Sequence, residues 1–594
     1  MKRLLIGLLL LPAVASAGPE QQVQALLDAW QVEAAAKAVE PLLEALPDLP
    51  AIQAVAARVK FHQQRYADAM DLMRRAKAAT GREPAMYNLV RVTFEVTKDF
   101  VEYRDGRAIV RMAPGPDEVL APYLLKGLNQ AIDRLAPRFG LEIKAPLVVE
   151  VFPSTESFSK VSTLDLKSIQ TSGTIALCKF DRLMIITPRV TMRGYDWLDT
   201  VSHELIHLLI SRKSFNTVPV WLHEGLAKFH ESGWRKPFGE PLSSYSAGLL
   251  ARALNRNELI TFAEMSPSMA YLPSQEATAT AFAEVHTAIE YMLETYGEES
   301  ILGLLEGLRG FAGNLDSAFR KVTGGNLAAF EAKWRQWLSK RRFETRDGVS
   351  KAAVTFGTNR PTADDDDPER PDGEAGRYAR LGDMLYRRGH RAAAAIEYER
   401  SVTRAGFGYP GLVHRLASCL IATDSLKRAE DVLSQSAKRS PDDPRTQVLL
   451  GRLAIKAERY EDALGAYGRA NSINPFDPEV HEGMRIAAEA LKLEPIVKRE
   501  TKALDRLRNE AAAVAPKKDP KTQGFLTLTS SPWADVLIDD KPLRRATPLT
   551  DYPLSAGRHR LTVRNSALSL ERSLDVEIVL GQTTTLRVNL KEEP

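Results

Sequence analysis

The stretch His203-Glu204-Leu205-Ile206-His207-Leu208-Leu209-Ile210 sets two imidazoles and a carboxylate into an otherwise apolar run. The sequence around it, Asp196 to Phe215, reads as one helix with Trp197, Val201, Leu205, Leu208 and Leu209 on an apolar face. His203 and His207 are four apart, so they stack on one side of that helix, one turn from each other. Burying two imidazoles and a carboxylate without partners costs several kcal/mol. The fold must therefore bring a compensating group to this face, and a cation shared by both rings is the simplest. Zinc accepts imidazole nitrogen at about 2.0–2.1 Å, takes three protein ligands in a catalytic site and keeps a fourth position open. Glu204 is turned about 100° from His203 and can approach a bound water without ligating.

The next apolar stretch, "VWLHEGLAKFHESG" from Val220 to Gly233, reads as a returning helix and offers the third ligand. Glu224 lies 17 residues beyond His207, which leaves room for the loop "KSFNTVP" and a turn of helix. Gly225 and Ala227 are expected to let the two helices approach closely. The two stretches together resemble the gluzincin metallopeptidases, the thermolysin-like group, on His203, Glu204 and His207 followed by Trp221, Glu224, Gly225 and Ala227. The resemblance implies one zinc ion per chain held by His203, His207 and Glu224, with Glu204 as the catalytic acid and base. The alternative is a helix that holds two histidines as hydrogen-bonded core residues.

Other roles follow from the resemblance. The family often carries tyrosines in the helix after the ligand helix, where this chain reads "TAFAEVHTAIEYMLETYG". Phe282 cannot donate a hydrogen bond, so His286 is the expected catalytic oxyanion donor, with Tyr291 and Tyr271 as alternatives. Asp199, one turn before His203, would orient a ligand imidazole, or stand as an exposed acid of the first turn. Lys228 occupies the place where the thermolysin-like group carries an aspartate. "PLVVEVFPS" and "RLMIITP" read as strands with "GTIALCKF" between them. In zincin folds an edge strand pairs with the extended substrate, which points to Gly173, Thr174, Ile175 and Ala176 as substrate-binding residues. The signature G-x-M-E-N of N-terminal exopeptidases is absent, which favours an endopeptidase.

With 594 residues the chain exceeds what one core organises. "QRYADAMDLMRRA" (64–76) returns downstream as "ERYEDALGAYGRA" (458–470). Gly451, Ala463, Tyr467 and Pro475 stand 34 residues after Ala417, Ala429, Leu433 and Pro441. This period resembles the tetratricopeptide repeat, two antiparallel helices with small residues at their crossing. The last 70 or so residues alternate with period two and resemble a PEGA domain, on Ser531-Pro532, Val536 to Asp539, Thr547-Pro548 and Ala556 to His559. That family carries Asp-Gly after its second strand, whereas this chain has Asp539-Asp540, so a different turn is expected.

The expected architecture is multidomain and mostly α. It comprises a signal peptide (1–17), a helical repeat-like region (18–97) and a zincin-like α+β peptidase core (98–345). An acidic Pro/Gly linker (346–376), tetratricopeptide repeats (377–508), a second linker (509–523) and a small β-sandwich (524–594) follow. Lys2-Arg3, the apolar run from Leu4 and Ala15-Ser16-Ala17 form the export signal, which places the chain in the periplasm or outside the cell. No later run is long and apolar enough to span a membrane. A net charge of +4, with acids and bases interleaved, gives no nucleic-acid footprint. The expected partners are a peptide or protein substrate, proteins bound by the repeats, and an envelope component for the PEGA-like module. Cys178 and Cys419 are expected as free thiols. The competing function is a non-catalytic envelope scaffold with an inert zincin core.

Overall fold

The computed structural model describes residues 18–191, 194–266, 268–269, 272–310, 314–343, 371–440, 443–514, 522–531, 534–547, 549–565 and 570–590. The expected export signal, Tyr271 and most of the expected acidic linker lie outside them. The chain divides into two units between Leu504 and Asp505.

The first unit opens with helices α1 (Pro19–Asp28), α2 (Val32–Ala45), α3 (Pro50–His62), α4 (Tyr66–Thr80) and α5 (Tyr87–Thr97). Ala69, Met73 and Ala76, the small and apolar residues of the "QRYADAM" stretch, are buried along α4. A sheet follows, built from β1 (Val101–Asp105), β2 (Ala108–Met112), β3 (Leu147–Phe152), β4 (Ala176–Lys179) and β5 (Arg182–Ile186) in the order β1-β2-β3-β5-β4. β2, β3 and β5 run parallel, and β4 lies antiparallel to β5 on the edge. Helices α6 (Ala121–Leu135), α7 (Thr155–Ser162) and α8 (Leu166–Ser172) connect the strands.

A buried ion pair joins the first helices to this sheet. Arg182 on β5 and Glu150 on β3 are both fully buried, 2.7 Å apart, and the Tyr66 hydroxyl donates to Glu150 at 2.5 Å. An unpaired charge here would be costly, so α4 must stay docked on the strands. At the β4–β5 turn, Phe180 and Asp181 both adopt positive φ. The Phe180 ring lies 5.8 Å from that of Phe61, and Arg212 grips Asp181 at 2.8 and 2.6 Å.

The sequence run with the two histidines forms α9 (Trp197–Ser214), packed against β4 and β5. Asp196 caps it by accepting from the Asp199 amide. Helix α10 (Val220–His230) returns across α9, and α11 (Ser244–Arg256) and α12 (Gln275–Tyr296) follow. Three further helices, α13 (Glu299–Gly310), α14 (Leu315–Thr323) and α15 (Leu327–Ser339), close this core. Gly225 serves a different helix from the one expected. A Cβ on it would meet the Val285 carbonyl at 3.0 Å and Ile289 at 3.1 Å, so it makes room for α12 rather than for α9.

Eight described helices form antiparallel pairs downstream: α16 (Gly373–Arg387), α17 (Arg391–Ala405), α18 (Pro410–Ala422), α19 (Leu426–Arg439), α20 (Pro444–Lys456), α21 (Tyr460–Asn471), α22 (Pro478–Ala490) and α23 (Glu494–Val514). The period has a steric cause. Tyr467 fills the space above Gly451 and Gly483, where added Cβ atoms would stand 2.6 and 2.3 Å from its ring. The helices begin at Gly373, inside the stretch expected to be linker. Its small residues draw no readable apolar face, yet Ala375 and Gly376 are buried and the Ala375 carbonyl accepts from Ser401 at 2.7 Å. At the other end α23 runs on to Val514, beyond the expected Arg508, through alanines that favour helix. The end of α21 meets the start of α9: Trp197 donates its indole N–H to the Asn471 carbonyl at 3.1 Å.

The second unit carries β6 (Gln523–Ser531), β7 (Asp535–Ile538), β8 (Lys541–Ala546), β9 (Leu549–Ser555), β10 (Gly557–Asn565), β11 (Leu570–Ile578) and β12 (Thr583–Asn589). They form two sheets, β11-β10-β7-β8 and β12-β6-β9, over one apolar core. Asp539 and Asp540 take φ of 50° and 63°, so the aspartates fill the two-residue turn themselves. The Asp539 carboxylate steadies it by accepting from His559 Nδ1 at 2.7 Å and from the Arg560 amide at 2.9 Å.

Candidate metal centre

His203 and His207 project from consecutive turns of α9, their ring centroids 4.7 Å apart. Glu224, from the second turn of α10, reaches both: its Oε2 lies 3.3 Å from His203 Nε2 and 3.6 Å from His207 Nε2. The three donor atoms lie within 4.8 Å of one another. Among the described residues no other group of three metal-type side chains comes together this closely.

Each imidazole is held from behind by its other nitrogen. His203 Nδ1 lies 3.1 Å from Glu231 Oε2, and His207 Nδ1 lies 3.0 Å from His223 Nδ1. A carboxylate only accepts, so Nδ1 of His203 carries a proton towards Glu231, and Nε2 is the nitrogen turned towards Glu224 and the centre. His223 is pushed down to about 3 by burial and by His207, which keeps its ring neutral. Lys228, the apparent misfit on α10, pairs with Glu231. Burial works against the Glu231 carboxylate, but Lys228 and His203 hold it at about 2.

The field at the centre favours positive charge. Burial opposes it at His203, yet Glu224 and Glu231 push that imidazole up to about 10. Burial likewise opposes the Glu224 carboxylate, and His207 and His203 still hold it well below the usual range. Two imidazole nitrogens, each ring held at its other nitrogen, and one carboxylate oxygen fit a divalent zinc-type cation in donor chemistry and in number.

Glu204, one residue on from His203, is buried. Burial raises its carboxyl, while His207, His203 and a hydrogen bond from the Cys178 backbone act in the other direction. That bond comes from the free side of β4. Ile186 N–H donates to the Ile175 carbonyl at 2.8 Å, so Ile175 faces β5. By the alternation of antiparallel pairing, Ala176 and Cys178 turn their backbone groups to the open edge. Of the four expected substrate-binding residues, Ala176 thus lies on that edge. Ile175 is engaged in the sheet, and Gly173 caps α8 with φ 70°. Thr174 lies between them. Cys178 and Cys419 are both free thiols.

Asp199 does not reach a ligand ring. Its carboxylate accepts from the Trp234 indole at 2.7 Å and from Arg235 Nε at 2.9 Å. It sits one turn too early, on the side of α9 that meets the chain beyond α10. Glu231 takes the place expected of it. The signal was present in the sequence: Glu231 falls seven residues, two turns, after Glu224 and so shares its face. His286 is not among the donor atoms brought together. Its ring packs 5.2 Å from that of Phe229. Burial, with Lys228 nearby, pushes it down to about 4, and its Nδ1 has no hydrogen-bond partner. Tyr291 is buried among Tyr296, Phe330 and Trp337.

Residues 127–340 match the family model described as Peptidase MA superfamily, and residues 420–485 match that of the tetratricopeptide repeat. No curated protein matches the chain. Among solved structures, MamA from Desulfovibrio magneticus RS-1 is 18% identical over 23% of this chain and 77% of its own, with a TM-score of 0.21. Yeast LTA4 hydrolase in complex with bestatin is 12% identical over 69% of this chain and 65% of its own, with a TM-score of 0.27. The TPR domain of P58(IPK) is 12% identical over 80% of this chain and 98% of its own, with a TM-score of 0.19. Scores this low carry no argument. The two family matches stand without them: the chain contains a Peptidase MA superfamily domain followed by tetratricopeptide repeats.

Proposed function

We propose that this chain is an exported zinc-dependent peptidase of the gluzincin type, acting as an endopeptidase and flanked by modules that bind other proteins. One observation carries the reading: Nε2 of His203 and Nε2 of His207 converge on one oxygen of Glu224. His203, His207 and Glu224 would hold one zinc ion. When bound, such an ion polarises a carbonyl and lowers the pKa of water towards about 7.

Glu204 does the proton transfer. Burial raises its affinity for a proton, so it accepts one from the attacking water and returns it to the leaving amine. The Cys178 amide steadies the carboxylate during both transfers. Ala176 offers its backbone N–H and C=O on the open edge of β4 to an extended substrate chain. The basic, apolar and small-residue order of the first 17 residues supports export to the periplasm or beyond. The described residues contain no helix long and apolar enough to cross a membrane. The repeats supply protein-binding surface, and the C-terminal unit, PEGA-like in sequence, fits an envelope-associated module.

The test is hydrolysis of casein by the full-length chain, with metal content measured on the same samples. Wild type is expected to cleave casein, and Glu204→Gln to retain zinc and lose cleavage. Equal cleavage by both proteins contradicts the reading.

A further inference from the structure

We infer that Glu231, tied in place by Lys228, is the positioning residue that makes His203 a metal ligand. The inference rests on the zinc reading above and adds a residue that the metal-binding pattern does not contain.

His203 has two nitrogens and one orientation in which both are used. Nε2 faces Glu224 Oε2 at 3.3 Å, and Nδ1 faces Glu231 Oε2 at 3.1 Å. Because a carboxylate accepts and does not donate, Glu231 fixes a proton on Nδ1, so Nε2 is the nitrogen left to take a cation at the centre. The second oxygen of Glu231 is taken by Lys228 Nζ. That contact turns the carboxylate plane and balances its charge, so the Glu231 side chain has little freedom to swing to water. Its exposure is 22%, with His203 at 16%. A carboxylate behind a ligand imidazole raises the basicity of the ring and holds its angle, and removing one costs about 10–100-fold in metal affinity.

A plain alternative exists for the same atoms. Glu231 stands at the end of α10, three residues after Lys228, where an i,i+3 ion pair is common and contributes little to stability. The two readings differ in what they predict for metal. A helix-end pair leaves zinc affinity untouched, whereas a positioning carboxylate changes it without changing the fold of the stripped protein. His207 lacks this arrangement, since its Nδ1 meets a second imidazole, His223, and not a carboxylate.

The experiment uses the full-length chain as wild type, Glu231→Ala, Glu231→Gln and Lys228→Met. Zinc dissociation constants come from competition with a chromophoric chelator. Visible absorption of the cobalt(II)-loaded proteins reports the ligand field. Thermal melting of the chelator-stripped proteins reports the fold. Glu231→Ala is expected to weaken zinc by about 10–100-fold, with a shifted cobalt spectrum and an unchanged melting curve. Glu231→Gln keeps an acceptor oxygen and is expected to recover part of that loss. Lys228→Met should weaken zinc less than Glu231→Ala does. If stripped Glu231→Ala melts early, Lys228→Met decides the matter, because it keeps the carboxylate and only unties it. Zinc affinity and cobalt spectrum unchanged in all three variants, against a wild type that binds one zinc, would overturn the inference alone. A wild type that binds no zinc would overturn the function proposed above together with it.

Discussion

Two faces of the same core treat their buried polar atoms differently. Where α9 meets α10, His203, His207, Glu224, His223, Glu231 and Lys228 answer one another atom by atom. Where α10 meets α12, packing is equally close, with Gly225 against Val285 and Ile289. There, however, His286 Nδ1 is buried without a hydrogen-bond partner. The contrast separates two jobs. The first face gathers ionisable side chains around one point, and the second is organised around shape. Catalytic groups are therefore expected on α9 and α10, with α12 as the wall that holds α10 in register.

Substitutions on each face sharpen or break that contrast. The largest effect is expected at Glu204. Glu204→Gln should lower hydrolysis by about 10²–10⁴-fold, the usual worth of a general acid-base group, in a steady-state assay on protein of unchanged zinc content. On the α12 side, Gly225→Val should act on stability instead. The added Cβ meets the Val285 carbonyl at 3.0 Å, so overpacking of about 1–3 kcal/mol is expected in denaturant titration. His286→Phe should lower hydrolysis far less than the about 10²–10³-fold that loss of an oxyanion donor costs. A loss of that size would move His286 to the catalytic face and break the contrast.

The smallest effect concerns pH. Burial pushes Glu284 up to about 8, only partly offset by the bond from the Ile260 amide. A carboxyl whose pKa is raised by folding binds its proton more tightly in the folded state. Its contribution to stability therefore falls as pH rises from the ordinary carboxylate range to about 8. Melting temperature should fall over that window in wild type and fall less in Glu284→Gln. An identical pH dependence in the two proteins would mean that Glu284 is not the source.

Much of this arrangement was legible in the sequence, for reasons that differ by element. The spacing of His203, His207 and Glu224 is short-range geometry, since one turn of helix and one return loop suffice to bring them together. The repeats were legible because a 34-residue period forces a small residue opposite each bulky one, as Gly451 and Gly483 lie opposite Tyr467. What failed depended on which neighbour each residue meets. Asp199 has the right spacing for a supporting acid, but Trp234 and Arg235 capture its carboxylate. Gly225 signals a close approach without naming the helix that approaches. The first turn of α16, Gly373 to Gly376, carries no large apolar side chain, so no apolar face announced it. Lys228 read as a defect because its pairing with Glu231 is visible only once α10 is coiled.

The most direct measurement is the metal content of the purified full-length chain, by elemental analysis, for wild type and Glu224→Ala. The account predicts about one zinc per wild-type chain and essentially none in a variant that still folds. Zinc absent from wild type, or retained equally by Glu224→Ala, would contradict it.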